Sequence, residues 1–255
     1  MTKKLKMYGE RNTNTNYMSK LIQLNLELQE IRGTVPHYVD KAQRHFQRLL
    51  SGNEQIKDIY FDLTFGKNLG WKHSCVQPTA TLKNCKLVDE ELIFITITKN
   101  PYSWLLSLYR NPYHQYYLNQ KKPSFEEFLL SPWKTVGRDK TQRSLKDPIE
   151  LWNIKNSSYL QLQEFNVLNI TTESIFIDAG KIICEISDRF SVPRKHDCFV
   201  DYERSTKDKR KDGNYYRDYY LNEKWKDKFS NNEITIINQT VDRKLMDYFG
   251  YEVLL

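Results

Sequence analysis

The sequence predicts an α/β fold: a single domain over residues 1–255, with a central, mainly parallel β-sheet flanked by helices. The clearest observation is the continuous apolar and β-branched run Leu92–Thr98, which is typical of a strand covered on both faces. A second is that shorter runs at residues 4–8 and 167–171 each precede a helical pattern. Strands that alternate with helices form parallel sheets, and 39% hydrophobic residues suffice to bury a core.

The first predicted strand ends at Gly9, where a polar elbow leads directly into a helix. The helical spacing is carried by Tyr17, Leu21, Leu24 and Leu28. Backbone N–H groups at the start of a helix hold anions, and the helix dipole favours negative charge there. The stretch 6–25 therefore has the pattern of a phosphate-binding loop, although it lacks the Gly-Lys-Ser/Thr ending of a nucleotide triphosphatase loop.

The middle of the chain is less regular. Between residues 33 and 68 the pattern loosens around one basic helical segment at residues 38–50, which predicts an insertion between core elements. Residues 70–74 are predicted to be a short strand with His73 at its end. The strand Leu92–Thr98 then leads into a helix with Pro101 in its first turn, where the missing N–H would be unpaired anyway.

The second half begins with residues 111–122, which are rich in Tyr, Asn, Gln and Lys and are predicted to form an exposed segment or a lid. Two helices with strong start signals follow. Ser124 and Glu127 form a capping box, and Asp147 caps a helix expected over residues 148–165. Further helices are expected over residues 179–190 and 232–249, with Gly250 as the final stop.

The net charge of +7 favours an anionic partner. The basic residues are scattered and match no nucleic-acid-reading motif, so no nucleic acid partner is expected. No apolar run approaches a membrane span and no signal-peptide pattern is present, which predicts a cytoplasmic protein and leaves peripheral contact with an anionic membrane open. The four cysteines show no metal-binding spacing, and no metal is expected.

Ligands of parallel α/β folds bind beyond the carboxyl ends of the strands. Three predicted strand ends are followed by, or carry, a cationic or titratable residue: Arg11, His73 and Lys99. Their coincidence at one edge predicts the functional site.

These residues also carry a family resemblance. The stretch 9–17, the pair Lys72-His73, and Lys99-Asn100-Pro101 with Ser107 eight residues after Lys99 together resemble the signature of sulfotransferases that use 3′-phosphoadenosine 5′-phosphosulfate (PAPS). The similarity touches points from about residue 6 to residue 175. It implies a P-loop-like α/β sulfotransferase fold and transfer of a sulfuryl group from PAPS to a hydroxyl or amine, with 3′-phosphoadenosine 5′-phosphate (PAP) as product and no metal.

The resemblance implies a role for each matched residue. His73 would be the catalytic base, Arg11 would stabilise the departing phosphate, and Lys99 with Ser107 would hold the 3′-phosphate. The 5′-phosphosulfate would lie on the loop formed by Arg11, Asn12, Thr13, Asn14, Thr15 and Asn16. The late basic pair Arg210-Lys211 resembles a further cofactor-binding element of the family.

The sequence departs from the family pattern at three of these positions. Asn12 stands where many members have lysine, Asn14 where they have glycine, and Lys99 where they have arginine. Asparagine tolerates the left-handed conformation that a glycine would supply. Arg11 is predicted to provide the positive charge that Asn12 lacks, and Lys99 keeps its charge without the bidentate fork of arginine.

Other interpretations stay open on the residues alone. His73 could be a structural histidine, Arg11 could pair with Glu10, and Ser107 could bond its own backbone. A P-loop kinase or NTPase, or a non-catalytic relative that only binds PAP or another nucleotide, would share the fold. The acceptor is expected to be a small molecule or a glycan, and the sequence gives no oligomeric state.

Overall fold

The computed structural model describes residues 2–50, 53–202 and 213–255. Its strands are β1 (Lys4–Gly9), β2 (Gln29–Ile31), β3 (Leu92–Thr98), β4 (Trp133–Lys134), β5 (Ser144–Leu145) and β6 (Asn166–Thr171). Four of them form a parallel sheet in the order β2-β1-β3-β6, while β4 and β5 make a short antiparallel pair. The predicted α/β fold with a central parallel sheet is therefore confirmed.

The helices of the described residues separate or follow these strands. They are α1 (Thr15–Asn25), α2 (His37–Leu49), α3 (Gln55–Asn68), α4 (Thr79–Lys83), α5 (Pro101–Arg110), α6 (Tyr116–Lys121), α7 (Phe125–Leu129), α8 (Pro148–Tyr159), α9 (Thr172–Arg189, interrupted at Asp178), α10 (Gly213–Leu221), α11 (Asn231–Thr240) and α12 (Arg243–Tyr248). Single 3-10 turns lie at Gly137–Asp139, Leu160–Leu162 and Lys226–Lys228.

Two apolar cores cover the two faces of the sheet, because alternate side chains of a strand point to opposite faces. On one face, Met7 of β1 and Ile95 of β3 pack with apolar residues of α1 and α9. On the other, Tyr8 and Phe94 pack with a larger cluster that includes Trp104 of α5 and residues of α8, α11 and α12. The run Leu92–Thr98 is buried along its whole length, as predicted for a central strand.

Several predicted boundaries differ from those in the structure. The first helix ends at Asn25, so Leu28 lies outside it, and the chain turns directly into the unpredicted strand β2. The region 33–68 contains a second helix, α3, besides the predicted basic one. The segment 111–122 includes the short helix α6, and the final helical pattern is two helices separated at Val241 and Asp242.

Residues 70–74 are a turn rather than the predicted strand. Hydrogen bonds between residues far apart in the sequence hold the turn against β1, and no local sequence pattern predicts them. The buried ammonium of Lys6 donates to the carbonyls of Asn68 (2.5 Å) and Gly70 (2.6 Å), and the Gly9 amide donates to the Lys72 carbonyl (2.9 Å). Because β1 anchors this turn, His73 still reaches the end of the sheet.

Across the described ranges, no helix is both long and apolar enough to cross a membrane. Within the same ranges, no group of three or more His, Cys, Asp or Glu side chains is placed to hold a metal ion.

Candidate active site

The site lies where the strand order reverses. β2 lies on one side of β1 and β3 on the other. The loops that follow β1 and β3 therefore leave neighbouring strand ends in different directions. The register pairs Gly9 with Ile97, which brings the loop that starts at Glu10 beside Lys99. Parallel α/β sheets bind ligands in the crevice that opens at such a reversal.

The loop after β1 folds back tightly on its own strand. The Thr13 hydroxyl donates to the Glu10 carbonyl at 2.6 Å, closing the turn. A Cβ on Gly9 would lie 2.7 Å from the Thr15 Cγ2 atom and 2.8 Å from the Thr13 hydroxyl, so this position requires glycine. Asn12 and Asn14 both have a left-handed backbone, with φ values of 69° and 63°. This conformation was expected at Asn14, where the family pattern has glycine.

The left-handed backbone of Asn14 makes a direct prediction. The conformation costs an ordinary L-residue about 1–2 kcal/mol, and glycine nothing. We expect Asn14→Ala to lower the free energy of unfolding by about 1 kcal/mol and Asn14→Gly to change it by less than about 0.5 kcal/mol, measured by urea denaturation. Equal losses in the two variants would show that the Asn14 side chain, rather than its backbone, stabilises the loop.

The first turn of α1 is built to receive an anion. The N-cap residue Asn14 makes no side-chain cap hydrogen bond, and the first turn contains no acidic residue. The buried Nδ2 atom of Asn14 has no hydrogen-bond partner among the described residues. The ammonium of Lys72 reaches the same turn and donates to the Asn16 Oδ1 atom. Amides without a side-chain cap, an orphaned donor and a cation together favour a negatively charged ligand.

His73 faces this loop from the turn after α3. Its Nδ1 atom lies 2.5 Å from the Gly9 carbonyl oxygen, which can only accept, so Nδ1 carries the proton and Nε2 keeps its lone pair. Burial, Lys72 and Arg11 lower the pKa of His73 well below its usual value. The imidazole is therefore neutral near pH 7, with Nε2 as the basic atom.

A buried ionic network supports His73 from below. Lys155 of α8 is fully buried, and its ammonium donates to the Asp139 Oδ1 atom at 2.7 Å and to the His73 carbonyl at 2.5 Å. It also lies 3.4 Å from the Glu10 Oε2 atom. Burial lowers the pKa of Lys155, but Asp139 and Glu10 outweigh it and leave that pKa raised. Lys155 thus ties the backbone of His73 to the loop after β1.

Arg11 lies among aromatic side chains, between the turn 70–74 and the segment that precedes α6. Its guanidinium carbon is 4.6 Å from the Trp71 ring centroid and 4.8 Å from that of Tyr113, and NH1 lies 3.6 Å from Glu10. NH2 lies 3.3 Å from the Nδ1 atom of His114. The contact with Glu10 expected of a structural arginine is present, yet the side chain is buried beside His73 rather than solvated.

The predicted pair at the end of β3 meets in the structure. The Lys99 ammonium donates to the Ser107 hydroxyl at 2.9 Å and to the Tyr220 hydroxyl at 2.8 Å. Ser107 in turn donates to the Ser103 carbonyl at 3.0 Å, so it bonds both its own helix and the lysine. Lys99 is almost completely buried. Burial raises the pKa of Tyr220, but the neighbouring Lys99 outweighs it and leaves that pKa lowered.

Glu173, at the start of α9, ties this end of the site together. Its Oε1 atom accepts from the Asn100 amide at 3.2 Å, and its Oε2 atom accepts from the Tyr251 hydroxyl at 2.8 Å. Burial raises the pKa of Glu173, partly opposed by Lys99. The contacts join β3, α9 and the C-terminal segment around the junction that carries Lys99.

The structure thus brings together most of the predicted site. The loop 11–16 and His73 form one end, and Lys99 with Ser107 forms the other. Arg210 and Lys211 lie outside the described residues. Sequence reasoning did not assign Lys155 or Tyr220 to the site, since their partners are distant along the chain, and it matched Lys72 to a motif without giving it a role.

No protein-family model matches the chain, and no curated protein matches it. Among solved structures, it is similar to a sulfotransferase domain from the curacin biosynthetic pathway, with 10% identity, a TM-score of 0.46 and 99% of each chain covered. It is also similar to a sulfotransferase from Alicyclobacillus acidocaldarius, with 13% identity, a TM-score of 0.40, and 97% of this chain and 96% of that chain covered. Both are sulfotransferases, the family that the motifs resemble, while TM-scores below 0.5 leave the activity to be argued from this chain's own residues.

Proposed function

We propose that this chain is a PAPS-dependent sulfotransferase that transfers a sulfuryl group to a hydroxyl or amine of an acceptor. The proposal depends mainly on two positively charged sites for anions, one at the loop after β1 and one at the loop after β3. A neutral histidine lies beside the first of them. PAPS is anionic at both its 5′-phosphosulfate and its 3′-phosphate, so a site for it needs a cluster of donors at each end.

The 5′-phosphosulfate fits the loop after β1. Asn14 Nδ2 is a buried donor without a partner, and the first-turn amides of α1 have no side-chain cap. Lys72 supplies a positive charge at the Asn16 side of the turn, which answers the absence of a lysine at Asn12. Arg11 adds a second cation from the Trp71 side. Donors fixed before reaction stabilise charge that develops on a leaving phosphate.

The 3′-phosphate fits the pair formed by Lys99 and Ser107. The buried Lys99 ammonium has three N–H donors, two of which bond the Ser107 and Tyr220 hydroxyls, and the Ser107 hydroxyl becomes a further donor to the phosphate when it turns away from the Ser103 carbonyl. The Tyr220 hydroxyl, 2.8 Å from the Lys99 ammonium, is a third group at the same place. AMP has no 3′-phosphate to bond this cation, so the pair would discriminate PAP from AMP.

The chemistry assigned to His73 follows from its tautomer. Sulfuryl transfer forms a bond from the acceptor oxygen to sulfur and breaks the bond from sulfur to the 5′-phosphate oxygen, with PAP as the leaving group. His73 Nε2, which holds a lone pair, takes the proton of the acceptor hydroxyl. The Gly9 carbonyl and Lys155 keep the imidazole and its backbone in place during that transfer.

The kinase or NTPase alternative gains no support from this site. In the described loop, Thr15 and Asn16 follow Asn14 and no lysine precedes them, so the loop lacks the residue that contacts the phosphates in P-loop enzymes. The cation at the loop comes instead from Lys72, in a separate turn.

Thermal stability in the presence of nucleotides tests the proposed cofactor. PAP at about 100 times its dissociation constant should raise the melting temperature by roughly 5–10 °C, while AMP and ATP at the same concentration should raise it less. In Lys99→Ala, PAP binding should weaken about 10- to 100-fold because a charged hydrogen bond is lost, and AMP binding should not change.

Lys83→Ala is the matched control for this experiment. Lys83 is an exposed lysine that pairs with Glu164. Glu164 lies just before β6, at the amino ends of the strands, whereas the site lies at their carboxyl ends. The variant should bind PAP as the unaltered protein does. Equal stabilisation by PAP and AMP, or equal weakening of both by Lys99→Ala, would remove the 3′-phosphate assignment.

A further inference from the structure

Residues 113–115, which precede α6, contact the loop after β1 through two side chains. The Tyr113 ring centroid lies 4.8 Å from the guanidinium carbon of Arg11, and the Tyr113 hydroxyl donates to the Asn12 Oδ1 atom at 2.8 Å. The Nδ1 atom of His114 lies 3.3 Å from NH2 of Arg11. Arg11 is therefore held by a residue that lies 103 positions further along the chain.

The hydrogen-bond partners of His114 fix its tautomer. Its Nε2 atom lies 2.7 Å from the Lys134 carbonyl oxygen, which can only accept, so Nε2 carries the proton. Nδ1 then keeps its lone pair and faces a guanidinium, which can only donate. The Gln115 Nε2 atom, 3.1 Å from the His114 Nε2 atom, donates to the same Lys134 carbonyl at 2.5 Å. Arg11 thus donates to the imidazole of His114.

This acceptor can position a cation without offsetting its charge. Burial, followed by the charge of Arg11, lowers the pKa of His114 to about 4, so the ring is neutral near pH 7. The competing acceptor is the Glu10 carboxylate, whose Oε1 atom lies 3.6 Å from NH1 of Arg11. Without His114, the guanidinium can turn toward Glu10, and its charge would then be offset before any cofactor binds.

We propose that His114 is a positioning residue, which holds the Arg11 guanidinium in the orientation that binds the 5′-phosphate of the cofactor. The inference rests on the proposed sulfotransferase function and adds to it a residue that acts on the cofactor only through Arg11. The rings of Trp71 and Tyr113, 4.6 and 4.8 Å from the guanidinium carbon, limit its movement. The hydrogen bond to His114 adds a direction that ring contacts do not give.

Two substitutions separate this role from packing. His114→Phe keeps an aromatic ring beside Trp133, whose ring centroid lies 6.0 Å from that of the imidazole, but removes the acceptor. His114→Asn loses the ring but can place an amide oxygen near the position of Nδ1, where it accepts from Arg11. In both variants Gln115 still donates to the Lys134 carbonyl, which keeps the segment attached to β4.

The measurement is the affinity for PAP and for adenosine 3′-phosphate, which lacks the 5′-phosphate. Because the loss of a hydrogen bond to Arg11 affects only the 5′-phosphate, His114→Phe should weaken PAP binding about 10-fold and leave adenosine 3′-phosphate binding unchanged. His114→Asn should bind PAP within about 3-fold of the unaltered protein. Weaker PAP binding by His114→Asn than by His114→Phe, or equal losses for the two ligands, would indicate a packing role and overturn the inference.

His45→Asn is the matched control for these variants. His45 is an exposed histidine on α2, and the substitution should change neither affinity.

A double-mutant cycle with Arg11→Met tests whether His114 acts through Arg11. In the Arg11→Met background the guanidinium is absent, so His114→Phe should weaken PAP binding by less than about 2-fold further. If the two substitutions instead weaken PAP binding by independent factors that multiply, His114 does not act through Arg11.

The two proposals fail in different ways. If PAP does not bind the unaltered protein, the sulfotransferase function itself is wrong. If PAP binds but His114→Phe behaves like His45→Asn, only the role assigned to His114 is wrong.

Discussion

His73→Asn is expected to reduce kcat about 10²- to 10⁴-fold while PAP binds with unchanged affinity, because the variant removes only the proton acceptor. The asparagine amide can donate to the Gly9 carbonyl as the imidazole Nδ1 does, so the turn 70–74 keeps its anchor. No atom of the asparagine replaces the lone pair of Nε2. The measurement is single-turnover transfer from labelled PAPS, with the PAP melting shift measured in parallel.

The exposed His196 gives the control variant His196→Asn, which should retain full activity. The pH profile adds a second test. Because the folded protein lowers the pKa of His73, kcat/KM should fall only below the ordinary histidine range of about 6.5, as the base takes a proton. Full activity of His73→Asn, or an acid limb near pH 6.5 or above, would exclude His73 as the base.

Local patterns predicted the parts of this site that depend on local spacing. Lys99 and Ser107 are eight residues apart across one strand-to-helix junction, and their contact follows once Pro101 starts α5. Gly9 and Asn14 predict the tight loop after β1. A side chain at Gly9 would clash with its neighbours, and the left-handed backbone at Asn14 disfavours most other residues. The buried strand β3 was recognisable because every residue of the run is apolar or β-branched.

Long-range contacts placed the rest. The sequence of residues 70–74 is similar to that of a strand end, but bonds from Lys6 hold the segment in place as a turn. Lys6 lies within β1, and its local sequence gives no sign of these distant partners. A lysine in a helix is ordinarily solvated, so nothing local to Lys155 signals burial beneath His73. Tyr220 meets Lys99 only because α10 packs on α9, where Phe176 stacks on the Tyr220 ring.

Lys155→Met should give the largest loss of stability of any single change in the site. The variant keeps the volume of the side chain but leaves Asp139 and Glu10 buried without their shared cation. Breaking a buried ion pair in this way costs about 3–5 kcal/mol, which should lower the melting temperature of a chain this size by roughly 6–20 °C at pH 7. Lys140→Met, which breaks the partly exposed pair with Asp62, should cost at most about 1 kcal/mol.

The dependence of this loss on pH separates an ionic origin from a packing one. Burial raises the pKa of Asp139, but Lys155 and Arg11 hold it well below its unfolded value. The stability that Asp139 contributes is therefore present above its unfolded pKa and is lost as the pH falls through the folded one. In Lys155→Met the Asp139 carboxylate takes up a proton more readily. The melting temperatures of the variant and the unaltered protein should therefore converge as the pH falls. A loss that stays constant from pH 7 to pH 4 would mean that Lys155 stabilises the site by packing rather than by charge.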